Sequence, residues 1–201
     1  MSMKQNIKNL ITQLRISVIV MALMALFTCG MYPATIWGVG QILFPYQANG
    51  SIVMIDGKPV GSILLSQGFS DPKYFYPRPS FAGAGYDATR SGGSNLGPTS
   101  KKLVELVSAR ADHYRRQNGL DPKARVPVDA VTASASGLDP HISPENARIQ
   151  APRVARLRSV NENRIIDMIL RCSSGPDLGI LGHERVNVLK LNLMLDGRNC
   201  D

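Results

Sequence analysis

The stretch Thr132-Ala133-Ser134-Ala135-Ser136-Gly137-Leu138-Asp139-Pro140-His141 gathers hydroxyls, a carboxylate and an imidazole within ten residues. These are the types a nucleophilic hydrolase uses, with Ser134 or Ser136 attacking and His141 as base. Two observations oppose that reading. The stretch lacks the G-x-S-x-G elbow, and side chains this close in sequence seldom form a triad. The alternative is a rigid loop whose short side chains bond their own backbone, with Asp139-Pro140 starting a turn. Such a loop would dock a partner through Thr132, Ser134, Ser136, Gly137, Asp139 and His141. No catalytic residue is assigned.

Ser91-Gly92-Gly93-Ser94-Asn95 is the second motif, faintly like the signature loop of ABC transporters. Glycines there would let backbone N–H groups approach phosphate oxygens. No P-loop accompanies it, so a tight turn before a helix, with Asn95 bonding the backbone, is favoured. The loop joins the candidate docking surfaces. His113, His141 and His183 are scattered without metal-ligand spacing, and no metal site is expected. Three cysteines exclude a four-cysteine zinc or iron–sulfur site. Cys172 and Cys200 are free to pair or not. Arg148, Arg153, Arg156, Arg158, Arg164 and Arg171 form a basic stretch, read as a solvated face before an acidic docking surface.

The elements that must carry these loops follow from patterning. Apolar residues are 44% of the 201 and charged residues 19%, enough for a core and unlike a disordered chain. Ser51–Ile55 and Val60–Gln67 flank Asp56-Gly57, a hairpin signal. Phe69–Pro98 is a long Gly/Pro/Ser/Tyr segment, expected to be ordered and functional. Lys101–Gln117 repeats Leu103, Leu106, Val107, Ala111 and Tyr114 at helical spacing, and Asn118-Gly119 ends it. Ser143 caps a second helix with Pro144 at its first position, and Pro152 should interrupt and kink it. Ser159-x-x-Glu162 reads as a capping box for a third helix. Arg185–Asp196 alternates Leu189, Leu191, Leu193 and Leu195 on one face, predicting a closing strand. The whole reads as α+β.

Ahead of this domain lies a different segment. No charged residue occurs from Ile16 to Ile55. Its first part, Ile16–Trp37, would be a helix of about 33 Å, the thickness of a bilayer core. Pro33 should kink or stop it near the far end. No A-x-A site follows, so a retained span is preferred over a cleaved signal. Lys4, Lys8 and Arg15 precede the span, keeping that end in the cytoplasm. The predicted layout is a cytoplasmic 1–15, a transmembrane helix 16–37, an interfacial linker 38–50 and an extracytoplasmic domain 51–201. That placement removes nucleic acid from the partners of this chain of net charge +8. Ala22, Ala25 and Cys29 share one helical face and would pack on a neighbouring helix.

Phe44–Val53, Tyr74–Ser80, Ser91–Ser100, Val126–Pro144, Ala151–Arg158 and Val186–Asp196 together resemble, in order, the C subunit of the bacterial Kdp potassium-transporting ATPase. The resemblance implies a single-span accessory subunit in an inner membrane, with a periplasmic domain. It implies a channel-like A subunit that carries the potassium, a P-type B subunit and a small single-span F subunit as partners, with membrane lipid around them. It also implies a catalytic chaperone role for ATP, with no cofactor held tightly. No Asp-Lys-Thr-Gly motif, Walker loop or potassium filter occurs here, which agrees with a non-catalytic role. Since the positive-inside reading places the domain away from ATP, any nucleotide effect is expected to be indirect.

Overall fold

The computed structural model describes residues 3–198. The chain divides into two compact units, with the boundary between Ser51 and Ile52.

The first unit is an apolar helical rod. Helix α1 (Met3–Ala25) passes through a π-helical turn, Leu26–Met31, into α2 (Tyr32–Leu43), and a short α3 (Pro45–Ala48) follows. Asn6–Leu43 forms one helix long and apolar enough to cross a membrane. Pro33 neither stops it nor ends the span. The π turn precedes it, with the Tyr32 N–H donating to the Phe27 carbonyl five residues back, and this wider turn accommodates a ring that would clash in a regular α-helix. The rod therefore continues past Trp37 through residues 38–43. It stops at Phe44, φ −137°, because a residue before proline is forced out of the helical region.

The second unit is α+β. Strands β1 (Ile52–Ile55) and β2 (Lys58–Ser62) pair antiparallel. Asp56 and Gly57 both take positive φ, 49° and 76°, as a type I′ turn demands. Helix α4 (Lys101–Asn118) ends on Gly119 at φ 67°. After the single turn α5 (Val128–Val131) and β3 (His141–Ile142) comes α6 (Pro144–Arg158). The Ser143 hydroxyl accepts from the Asn146 N–H at 3.1 Å, capping that helix. The helix runs through Pro152, which lies on the exposed side, where water can reach the carbonyl that proline leaves free.

Helix α7 (Glu162–Arg171) is capped by Asn161, whose side chain accepts from the Asn163 N–H at 2.8 Å. Ser159 instead ends α6 in a left-handed conformation, φ 55°, so it is a C-terminal stop and not the first residue of a capping box. Strands β4 (Ser173–Ser174) and β5 (Arg185–Asn187) complete a three-stranded antiparallel sheet in the order β3-β5-β4. The closing strand is present but short. From Val188 to Leu195 the chain is helix α8. Asn187 accepts from the Lys190 N–H at 3.1 Å and starts it. Val188, Leu189, Leu191 and Asn192 are buried, a helical face that overrides the alternation of leucines.

The core is built from Phe75, Ile142, Val154, Ile165, Ile169, Val186 and Leu191. Each buried aliphatic or aromatic side chain there contributes about 1.5–3 kcal/mol. Phe75 belongs to the long irregular segment Phe69–Pro98, which is thereby fixed in place. Its N–H donates to Asn192 Oδ1 at 2.8 Å, and its carbonyl accepts from Asn192 Nδ2 at 3.0 Å.

Candidate docking site

The two loops that the residue types single out meet in space. The Gly92 N–H donates to the Ser136 carbonyl at 2.9 Å, and the Ser91 hydroxyl donates to the same oxygen at 3.0 Å. This is backbone laid on backbone. A Cβ at Gly137, where φ is 67°, would stand 2.5 Å from the Gly92 carbonyl oxygen; one at Gly93 would stand 3.0 Å from that of Ala135. Glycine serves here the docking of one loop on the other. Asn95 takes φ 50°, a conformation asparagine tolerates, and the Ser94 hydroxyl accepts from the Leu96 N–H at 3.5 Å.

The hydroxyls of the longer loop bond their own local backbone. Ser136 Oγ accepts from the Leu138 N–H at 3.1 Å, and Ser134 Oγ from the Asp139 N–H at 3.4 Å. The two oxygens are 3.3 Å apart. Thr132 Oγ1 donates to the Val128 carbonyl at 2.7 Å. His141 Nδ1 lies 3.3 Å from Asp139 Oδ1, and the His141 backbone N–H donates to that oxygen at 3.0 Å. Among the described residues neither serine hydrogen-bonds His141. The set locks a loop and lacks the nucleophile–base contact of a hydrolase.

Residues outside both motifs hold the longer loop and the start of α6 that follows it. Arg78 Nη1 donates to Asp139 Oδ2 at 3.0 Å. The Ser80 hydroxyl donates to the Gly137 carbonyl at 2.6 Å and accepts from the Ala82 and Tyr86 N–H groups at 3.1 and 2.9 Å. Asp129 accepts from the Ser143 N–H and hydroxyl at 2.8 and 3.0 Å and from Asn146 Nδ2 at 2.9 Å. Little in the local sequence marks these roles, because the contacts to Asp139, Gly137 and Ser143 join positions 61, 57 and 14 apart. Burial pushes the Asp139 carboxyl up, but the His141 hydrogen bonds and the Arg78 guanidinium outweigh it and hold it below its ordinary value. Asp139, His141 and Arg78 line an open cleft of about 480 Å³ together with His183, Glu184 and Arg185. Among the described residues no three His, Cys, Asp or Glu side chains cluster as a metal site would require.

The basic stretch is not one solvated face. Arg148, Arg156, Arg164 and Arg171 are exposed, but Arg153 is 2% exposed. Its guanidinium donates to Asn118 Oδ1, Gln150 Oε1 and the carbonyls of Pro72 and Tyr74. It also stacks 4.5 Å over the Tyr76 ring. Neutral oxygens thus satisfy a buried cation, and burial lowers its pKa. Gln150 also receives the Tyr76 N–H at 2.8 Å, so the network fixes the segment leading to Arg78 and Ser80. Burial pushes the Tyr114 phenol well above its usual range; its hydroxyl donates to Asn146 Oδ1 at 2.8 Å. Cys172 is buried and disulfide-bonded, and Cys200 lies outside the described residues. Ala22, Ala25 and Cys29 are exposed on the rod. The π turn changes the angle between Ala25 and Cys29 from the α-helical value on which their shared face was read.

A single apolar helix ahead of a small domain whose polar loops are tied to one another is the build of a membrane-anchored accessory protein. Known proteins give the same answer more narrowly. Residues 14–197 match the family KdpC, described as the K+-transporting ATPase, c chain. The chain is 50% identical over 188 residues to the potassium-transporting ATPase KdpC subunit of Nitratidesulfovibrio vulgaris, covering 93% of this chain and 95% of that one. It is 52% identical over 189 residues to the subunit of the same name in Myxococcus xanthus, covering 94% and 87%. The corresponding Mycobacterium tuberculosis H37Rv protein is 51% identical over 166 residues, 83% and 88%. The chain belongs to the KdpC family.

Proposed function

We propose that the chain is the accessory subunit of an ATP-driven, high-affinity potassium importer. It stabilises the assembled complex and acts as a catalytic chaperone for ATP use by the P-type B subunit. A channel-like A subunit carries the potassium, and a small single-span F subunit and lipid complete its surroundings. The observation that carries this reading is the interlocked pair of loops Ser91–Asn95 and Thr132–His141. Their hydroxyls are committed to backbone groups, which suits a rigid docking surface and a non-catalytic role. Lys4, Lys8 and Arg15, in the first turns of the rod and ahead of its uncharged Ile16–Trp37 stretch, support a cytoplasmic N-terminus in a bacterial inner membrane. The disulfide at Cys172 supports an oxidising, periplasmic location for the domain. There ATP is the substrate of the complex and acts on this chain indirectly.

Affinity purification from membranes through this chain tests the reading. Large multi-span partners and ATPase activity should come with it. A chain recovered alone, with esterase activity lost on Ser134→Ala or His141→Ala, would instead establish a membrane-anchored hydrolase.

A further inference from the structure

The π turn and Pro33 together deprive the Thr28 carbonyl of both its α-spaced and its π-spaced intrahelical donors. In an α-helix the Thr28 carbonyl would accept from the Tyr32 N–H, four residues on. That N–H donates to Phe27 instead. The donor at π spacing is five residues on, and position 33 is proline, which has no N–H. The next amide, Ala34, is six residues away and out of register. The Thr28 hydroxyl does not help, because it donates to the Met24 carbonyl at 2.7 Å. Thr28 lies near the middle of the uncharged Ile16–Trp37 stretch. In hydrocarbon an unsatisfied carbonyl costs several kcal/mol, so non-helical pairing at this depth is found only against protein or a water-filled cavity.

We propose that the Thr28 carbonyl is an acceptor held open for a hydrogen-bond donor side chain on a transmembrane helix of a partner subunit. A hydroxyl or amide donor fits: it completes the oxygen's pairing while bringing no charge into the apolar layer. The inference rests on the reading that the rod sits in a bilayer among partner helices.

The test uses the full chain carrying a ¹³C=¹⁸O carbonyl at Thr28, whose infrared frequency falls on hydrogen bonding. It is measured in bilayers alone and in the assembled complex, each in H₂O and D₂O. A lower frequency that appears only on assembly and ignores D₂O is the expected result. Pro33→Ala returns the missing N–H without bulk; it should abolish the assembly-dependent shift and weaken retention of the chain in detergent by about three- to tenfold, the size of one interhelical hydrogen bond. A carbonyl that stays unbonded in the complex overturns the proposal. So does one already bonded in the isolated chain, whether through water, which D₂O exposes, or a second copy, which dilution exposes. A chain that enters the bilayer but gathers no multi-span partners overturns the functional reading as well, and co-purification reports that separately.

Discussion

At Gly137 one methyl group governs whether two loops can meet. Alanine there would have to hold φ 67° with its Cβ 2.5 Å from a carbonyl oxygen. The left-handed conformation alone costs about 1–2 kcal/mol, and the overlap adds to it. Gly137→Ala is therefore expected to lower stability by about 2–4 kcal/mol in thermal unfolding. It should also weaken binding to partner subunits if the paired loops form the docking surface. Asp139 gives a pH dependence with a definite sign. Its carboxyl is held below the ordinary value, so its stabilising contribution is complete above the unfolded aspartate pKa of about 4 and is lost as pH falls through the lowered folded value. Asp139→Asn should remove part of the acid-side fall in unfolding temperature, so that wild-type and variant curves draw together as the solution is acidified. Parallel curves across that range would show that the Arg78 and His141 contacts contribute no linkage.

Local chemistry made some elements legible and hid others. Ser143-Pro144 and Asp56-Gly57 act on their nearest neighbours, so the helix start and the hairpin turn could be read directly. Ser159-x-x-Glu162 has the same lettering as a cap, yet Asn161 takes the role because Ser159 is needed to end the helix before it. The leucine alternation of Val188–Leu195 suits a strand locally; burial of Asn192 against Phe75, 117 residues away, selects a helix. The meeting of the two candidate loops was equally invisible, since Gly92 and Ser136 carry no local sign of one another. Asn192→Ala leaves a buried N–H and a buried carbonyl at Phe75 unpaired, and each such group costs about 1–3 kcal/mol. Unfolding should show a loss of about 2–5 kcal/mol, with the Phe69–Pro98 segment becoming sensitive to protease. In the rod, small residues permit close helix contact. Ala25→Leu is expected to reduce co-purification with large subunits while Leu23→Ala changes it little. Equal assembly of both would mean that the helix is a tether and that the outer domain holds the complex.

For the molecule as a whole, three basic residues before the uncharged stretch of the rod set the expected orientation. A phosphatase reporter fused at the carboxyl terminus should be active and a fluorescent protein that needs the cytoplasm should be dark. The reverse pair of results would return the domain to the compartment that holds ATP and reopen direct nucleotide binding. The clamp between Asn192 and Phe75 has a consequence for biogenesis. Contacts that join positions 75 and 192, or 76 and 150, close very large loops and therefore form late. The long segment cannot settle on the first helices to emerge from the ribosome, since its anchors Gln150 and Asn192 have yet to be synthesised. In the proposed topology this delay keeps the domain threadable during export, and its final helix works as a latch that is thrown only after crossing. A chain truncated before Val188 would reach the far side with its core segment unlatched, an open substrate for periplasmic proteases, so incomplete subunits would be cleared before they could occupy a place in the transporter.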